Sequence, residues 1–243
     1  MATFVLVHGG GHGGWCYQFV AKLLRQHGHE VYTPTLTGLG EREHLLSSAI
    51  DLNMHVTDVV KTLEFEDLRE VILVGHSYGG MVITGVADQV PERLANLVYL
   101  DAAYPQNGQS LVDVAGEMMR AAYESVQVID GVELVLFPGK FPMTPGDYYG
   151  VTDPEQIAWM APKLTPHPWA CFAQKLVLNN EASLRQVPVS FVVTAIQKQT
   201  LSEEHKAGLK LLTEGRFWEI DTGHDLMISE PKATADVLLA VAG

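Results

Sequence analysis

Positive charge is scarce in this chain. Lys and Arg number 16 against 29 Asp and Glu, a net charge of −13 with histidine neutral. So acidic a surface repels phosphate backbones and anionic lipid, and we expect neither a nucleic-acid nor a membrane partner. Cysteine is scarcer still: Cys16 and Cys171 are the only two. They are too few for a disulfide framework and lack metal-ligand spacing, so free thiols in a reducing compartment are expected. No apolar run approaches the roughly 20 residues that span a bilayer. The opening MATFVLVHGG lacks the basic segment of a secretory leader, which makes a cytoplasmic location the expectation. Internal repeats and low-complexity tracts are absent too. What is present, 47% apolar and 19% charged residues in a chain of 243, suits one large folded domain, neither disordered nor a coiled coil.

Short aliphatic runs alternate with helical stripes. Residues 4–7, 31–36, 71–74 and 97–100 read as strands. Cys16, Phe19, Val20, Leu23 and Leu24 recur at helical spacing, as do Val56, Val59, Val60 and Leu63, and then Met81, Val82, Gly85 and Val86. Strands apolar throughout are buried on both faces, so this rhythm predicts an α/β fold: a mostly parallel central sheet with helices on both faces. The rhythm breaks after Tyr104. From 105 to 186, prolines interrupt the pattern and aromatics crowd in, among them Phe137, Phe141, Tyr148, Tyr149, Trp159, Trp169 and Phe172. It returns with a strand at Val189–Thr194, a helix starting near Ser202, a strand over 216–220 and a helix after Pro231. The chain therefore divides into a core, 1–104 with 187–243, and an inserted helical cap, 105–186.

Gly75-His76-Ser77-Tyr78-Gly79 fits G-x-S-x-G between the run VILV and a helical stripe. In that setting the motif forms a sharp strand–turn–helix elbow. Glycines flank it because a Cβ would clash, and the following helix aims its free N–H groups at the reacting atoms. Ser77 is the candidate nucleophile, and a serine nucleophile needs a base. Folds with this elbow run nucleophile, acid, histidine along the chain. Of ten histidines, only His224 follows the last strand. His8 precedes Gly9-Gly10-Gly11 and is read as the organiser of that loop, with His76 turned away from the serine. The backbone N–H groups of Gly10 and Tyr78 are the expected oxyanion donors. His8 and His12 are spaced like two ligands but have no carboxylate partner, so no metal is expected.

FVLVHGGGHGGW, LVGHSYGGM and GHDLMISEP resemble the plant methylesterase and hydroxynitrile lyase family of α/β-hydrolases, with its bacterial esterase relatives. The resemblance spans nearly the whole chain and thins in the cap. It implies the α/β-hydrolase fold with a helical cap, a Ser-His-Asp enzyme without a cofactor, and often a homodimer. On it Ser77, His224, Gly10 and Tyr78 take the nucleophile, base and oxyanion positions. The pattern departs at the acid. The family carries it in the loop after the strand ending at Thr194, where this chain has Gln197 or Lys198. In other α/β-hydrolases the acid sits at the end of the strand after the nucleophile's helix, and that position here is Asp101. Asp101 is thus the expected partner that fixes the imidazole tautomer and stabilises its charged form. Glu203, Glu204, Asp221 and Asp225 are weaker rivals, and a Ser-His dyad is the remaining alternative.

By the same resemblance, hydroxynitrile lyases place threonine or asparagine where this chain has Gly9, and one type places lysine where it has Asp225. An acid there disfavours cyanide, and Gly9 is what the esterase members show. The expected function is therefore hydrolysis of small apolar or aromatic carboxylic esters through an acyl-enzyme. Gly9, His12, Trp159, Trp169 and Phe172 are candidate substrate contacts, the aromatics forming apolar walls. The competing expectations are a hydroxynitrile lyase, a cofactor-free dioxygenase suggested by Asp101, and a non-catalytic ligand-binding protein.

Overall fold

The computed structural model describes residues 1–137, 144–195, 197 and 201–243, with His205 by its backbone alone. Aliphatic runs form a six-stranded sheet from β1 (Thr3–Val7), β2 (Glu30–Tyr32), β3 (Val71–His76), β4 (Leu94–Leu100), β8 (Val189–Thr194) and β9 (Phe217–Ile220), every pairing parallel. Successive side chains on a strand point to opposite faces, so each strand feeds two cores. Phe4, Leu6, Ile72, Val74, Val98 and Leu100 enter one, with α1 (Gln18–Gln26) and the helix Pro231–Ala242. Val5, Val7, Leu73, Leu97 and Tyr99 enter the other, with α2 (Leu52–Phe65) and α3 (Gly79–Gln89).

The strand order is β2-β1-β3-β4-β8-β9. From β1 the chain steps to one side and then to the other, and such a reversal opens a crevice at the strands' carboxyl ends. The glycine loop after β1, Ser77 after β3, Asp101 after β4 and His224 after β9 all lie at that edge.

Two expectations change. The strand expected over 31–36 ends at Tyr32, because Pro34 has no N–H to give the ladder. Beyond it, Thr35 Oγ1 accepts from Gly14 N–H at 2.8 Å, and Leu36 N–H donates to His8. The inserted segment is also not purely helical. It carries short helices at Leu111–Ala115, Glu117–Tyr123, Pro145–Tyr149, Pro154–Met160 and Trp169–Ala173. Beside them lies an antiparallel sheet of β5 (Gln127–Ile129), β6 (Val132–Val135) and β7 (His167–Pro168). The β5–β6 turn is Asp130-Gly131, both at positive φ. Asp-Gly between β-branched runs is the strongest short hairpin signal, and the helical expectation passed over it.

Where α3 crosses the end of β4 the backbones touch: a Cβ on Gly80 would lie 2.0 Å from Ala103 O. Gly80→Ala should lower unfolding free energy by about 3 kcal/mol, the upper range for overpacking. Gly208→Ala, in an exposed helix with nothing within 4 Å, should raise it by about 0.5–1 kcal/mol through helix propensity. Urea denaturation of both variants checks the contrast.

Candidate active site

The sharpest turn in the site is at Ser77. Its φ is 53°, the left-handed region that side-chain-bearing residues avoid. Such a conformation costs on the order of 1–3 kcal/mol and persists only where its surroundings enforce it. Three glycines allow that enforcement. A Cβ on Gly75 would meet Gly79 O at 2.5 Å, one on Gly79 would meet Val7 O at 2.7 Å, and Gly80 abuts β4. Ser77 O accepts from Ala103 N–H at 3.0 Å, tying the elbow to the chain that has just passed Asp101. The glycine loop crosses directly over the serine, since a Cβ on Gly9 would stand 2.8 Å from Ser77 Cβ.

His224 reaches this place from the far end of the chain. His76 Nε2–H donates to His224 O at 2.9 Å, and the two rings lie 4.6 Å apart between centroids. The side chain of His76 is thereby committed to the histidine loop. His224 Nδ1–H donates to Asp101 Oδ2 at 2.6 Å. Asp101 Oδ1 accepts from both the N–H and the Oγ1–H of Thr194, each at 3.0 Å. Every contact to the carboxyl group is thus a donor, the pattern that suits an ionised acid. The proton on Nδ1 leaves the lone pair of the ring at Nε2. Burial pulls the His224 pKa down, but the hydrogen bond and charge of Asp101, with the charge of Asp225, outweigh it and hold it above its ordinary value. Thr194, which holds the Asp101 carboxyl group, was not singled out in the sequence; it marks the end of β8, the strand before the loop that carries the acid in the resembling family.

The glycine loop is held from behind. His8 Nε2 accepts from Leu36 N–H at 3.1 Å, so its proton sits on Nδ1 and goes to Gly9 O at 2.9 Å. Burial drives the His8 pKa down to about 3, and the ring stays neutral. Gly10 lies under two rings: a Cβ there would be 3.2 Å from Phe172 and 3.3 Å from Phe137.

Of the other candidate contacts, Phe172 is beside the loop and Trp169 stands behind it, edge-on to Phe172. His12 is different. Its side chain is fully buried, with Nδ1 2.8 Å from Gly10 O and Nε2 2.9 Å from Asp225 Oδ2. Both ring nitrogens are engaged inside the protein, which removes His12 as a substrate contact and Asp225 as a rival acid. Trp159 packs on Trp15 and Phe19 and under Lys163, seating the insertion against α1 rather than lining the serine. Phe137 and Tyr149, unassigned in the sequence reading, do reach the loop, the latter through its hydroxyl to Gly10 O at 3.5 Å. Gln197 N–H lies 3.4 Å from Thr194 Oγ1; Lys198 and Phe141 are outside the described residues.

His55, His167 and Cys171 bring possible ligand atoms within 4.8 Å of one another. Their hydrogen bonds do not suit a cation. His55 Nε2–H donates to Thr37 O at 3.0 Å and its Nδ1 accepts from the Tyr78 hydroxyl at 2.9 Å. His167 Nδ1 accepts from Gly11 N–H at 3.3 Å, which leaves the ring proton on Nε2. Neither lone pair is free as bonded here.

A parallel sheet of this order, a glycine-framed serine elbow after β3 and a histidine loop after β9 define an α/β hydrolase. The chain belongs to the alpha/beta hydrolase family, matching it over residues 4–237. It is 36% identical over 247 residues to a carbendazim hydrolyzing esterase of Nocardioides sp. (strain SG-4G), covering 99% of this chain and 100% of that protein. It is 25% identical to esterase PIR7B of Oryza sativa subsp. japonica, over 98% and 95% of the two chains. Among solved structures it superposes on an extracellular alpha/beta-hydrolase from a Paenibacillus species. That protein is described as sharing structural and functional homology with tobacco salicylic acid binding protein 2. The TM-score is 0.80 and the identity 25%, over 99% and 98% of the two chains.

Tyr78→Phe tests the buried support beneath the elbow. It strands the Nδ1 acceptor of His55 without altering the backbone N–H of residue 78. The cost should be about 1–3 kcal/mol of stability, the penalty for an unsatisfied buried acceptor, read from urea midpoints.

Proposed function

We propose that the protein is a serine esterase acting on small carboxylic esters with apolar or aromatic groups. The observation that carries this reading is the 2.6 Å contact between His224 Nδ1 and Asp101 Oδ2, made beside a strained serine elbow. Ser77 Oγ attacks the ester carbonyl and gives its proton to His224 Nε2. Asp101 holds the imidazole tautomer and stabilises the imidazolium that forms. The N–H groups of Gly10 and Tyr78 receive the developing oxyanion, a contribution worth roughly 2.7–4 kcal/mol for each donor. Collapse of the tetrahedral intermediate breaks the C–O bond, and the leaving alcohol takes the proton from Nε2. Water, activated by the same nitrogen, then adds to the acyl-enzyme and releases the acid.

Relatives named as esterases support the reaction class. Gly9, where the lyases of the resembling family carry threonine or asparagine, supports hydrolysis over cyanide chemistry, and the backbone here is shaped to glycine, since a Cβ would stand 2.8 Å from Ser77 Cβ. Phe137 and Phe172 beside Gly10 support an apolar substrate, with the insertion 105–186 supplying the walls. No described helix is long and apolar enough to cross a membrane. The unpaired, buried Cys16 and Cys171 support a cytoplasmic site of action, and the family resemblance supports a homodimer.

Turnover of p-nitrophenyl acetate tests the reading. The wild-type protein should hydrolyse it and Ser77→Ala should fall to background; equal rates for the two would sink the assignment. Asp101→Asn should lower kcat by about 10⁴-fold, the cost of replacing a triad aspartate by asparagine, with the fold retained by circular dichroism. The base must be unprotonated, and its pKa is held above the ordinary 6.5. The rise of kcat/KM with pH should therefore be centred above 6.5, and the residual activity of Asp101→Asn should rise at lower pH.

A further inference from the structure

We propose that His12 and Asp225 act as one positioning unit that locks the oxyanion loop to the loop carrying His224; this rests on the esterase reading above. The argument begins with protons. His12 Nδ1 faces Gly10 O at 2.8 Å and Nε2 faces Asp225 Oδ2 at 2.9 Å. A carbonyl oxygen only accepts, and so does a carboxylate oxygen. Both contacts are hydrogen bonds only if the imidazole and the carboxyl group hold two protons between them: one on Nδ1, the other between Nε2 and Oδ2. Neither side chain is exposed, so water does not substitute for either partner.

The placement gives this pair its role. His12 lies two residues beyond Gly10, and Asp225 directly follows His224. The two are 213 positions apart in the chain and join the loops from its opposite ends. A triple-glycine loop has no side chains to fix its own peptides, so its orientation comes from outside. His8 holds Gly9 O, the carbonyl of the peptide whose N–H belongs to Gly10. His12 holds Gly10 O, the carbonyl of the next peptide. The Gly10 N–H is thereby clamped on both sides, and the second clamp is anchored on the histidine loop. Tyr149 closes the frame, its carbonyl accepting from Asp225 N–H at 3.0 Å and its hydroxyl reaching Gly10 O. Asp225 Oδ1 takes no hydrogen bond among the described residues and lies 3.9 Å from His76 Nε2, which donates to His224 O. The pair therefore bears on the donor side and the base side of the site at once.

The test is a mutant cycle on p-nitrophenyl acetate with His12→Ala, Asp225→Ala, the double variant and Asp225→Asn. Loss of a whole oxyanion donor costs 10²–10³-fold in kcat, so a misaligned one should cost about 10–100-fold in each alanine variant. KM should change little, since the contact matters most in the transition state. The double variant should be no worse than the poorer single one. Asp225→Asn should stay within several-fold of wild type. Its amide N–H donates to Nε2 of a neutral His12, whose Nδ1–H still holds Gly10 O; a merely packing role gives no reason for that rescue. Where an alanine variant fails to fold, His12→Gln or Asp225→Leu takes its place. Unchanged kcat in folded variants, multiplying effects in the double variant, or no rescue by asparagine would overturn the proposal. Hydrogen exchange separates it from the esterase reading. Amides 9–12 should exchange faster in both alanine variants and at the wild-type rate in Asp225→Asn, whether or not any ester is turned over. Exchange unchanged in the alanine variants overturns the pair; a wild-type protein that shows the exchange pattern but no turnover overturns only the esterase.

Discussion

Backbone crowding at the carboxyl edge of β3 is the constraint on which the rest of the site depends. A left-handed serine is unfavourable by itself. It holds here because glycines at 75, 79 and 80 let β3, α3, the end of β1 and the end of β4 come closer than any Cβ permits. The same crowding decides where the other groups can be. The elbow fixes α3, α3 fixes the crossing of β4, and Ser77 O accepts from Ala103 N–H two residues past Asp101. Ser77 and the distant Asp101 are therefore set by one backbone packing problem.

Asp101 shares the serine's unusual backbone, with φ at 47°, and the reason is similar. The chain must leave β4 sharply enough to turn a carboxyl group toward the loop after β9. The neighbouring strand β8 then contributes donors instead of an acid: Thr194 supplies two hydrogen bonds to Asp101 Oδ1. Relative to the pattern of the resembling family, the carboxyl group that meets the histidine stands after β4 and not after β8. What the chemistry requires is an acceptor at Nδ1 with its other oxygen satisfied. The strand that provides it is free to differ.

How much of this was legible beforehand depended on the range of the interaction. The elbow was legible because its glycines are local: strand, turn and helix lie within a few residues. The pairing of Asp101 with His224 was anticipated from chain order for the histidine and from the resemblance to other α/β-hydrolases for the carboxyl group, not from any contact the sequence displays. The role of His12 was not, because its two partners are a carbonyl oxygen two residues away and a carboxyl group near the other end of the chain. A carbonyl acceptor leaves no mark in residue identity. Trp159 was misjudged for a related reason. An aromatic rich in apolar area packs equally well on a ligand or on Trp15 and Phe19, and composition does not distinguish the two. The β5–β6 hairpin is written plainly as Asp130-Gly131, a local turn signal that the proline and aromatic density around it masks.

The buried histidines around the loop show how partners, not residue type, set behaviour. His8 has one donor and one acceptor facing it, so it needs one proton and burial keeps it neutral. His55 has the same arrangement, with the Tyr78 hydroxyl and Thr37 O, and its pKa is likewise lowered by burial. His76 gives one proton to His224 O and is held well below its ordinary pKa by burial. His224 alone pairs one nitrogen with a carboxylate while remaining partly exposed, the state that the proposed base requires. His12 also meets a carboxyl group, yet its second nitrogen is capped by Gly10 O and the whole side chain is shut from solvent. The difference between the proposed base and the proposed brace thus lies in one nitrogen: uncapped in one ring, closed on a carbonyl in the other.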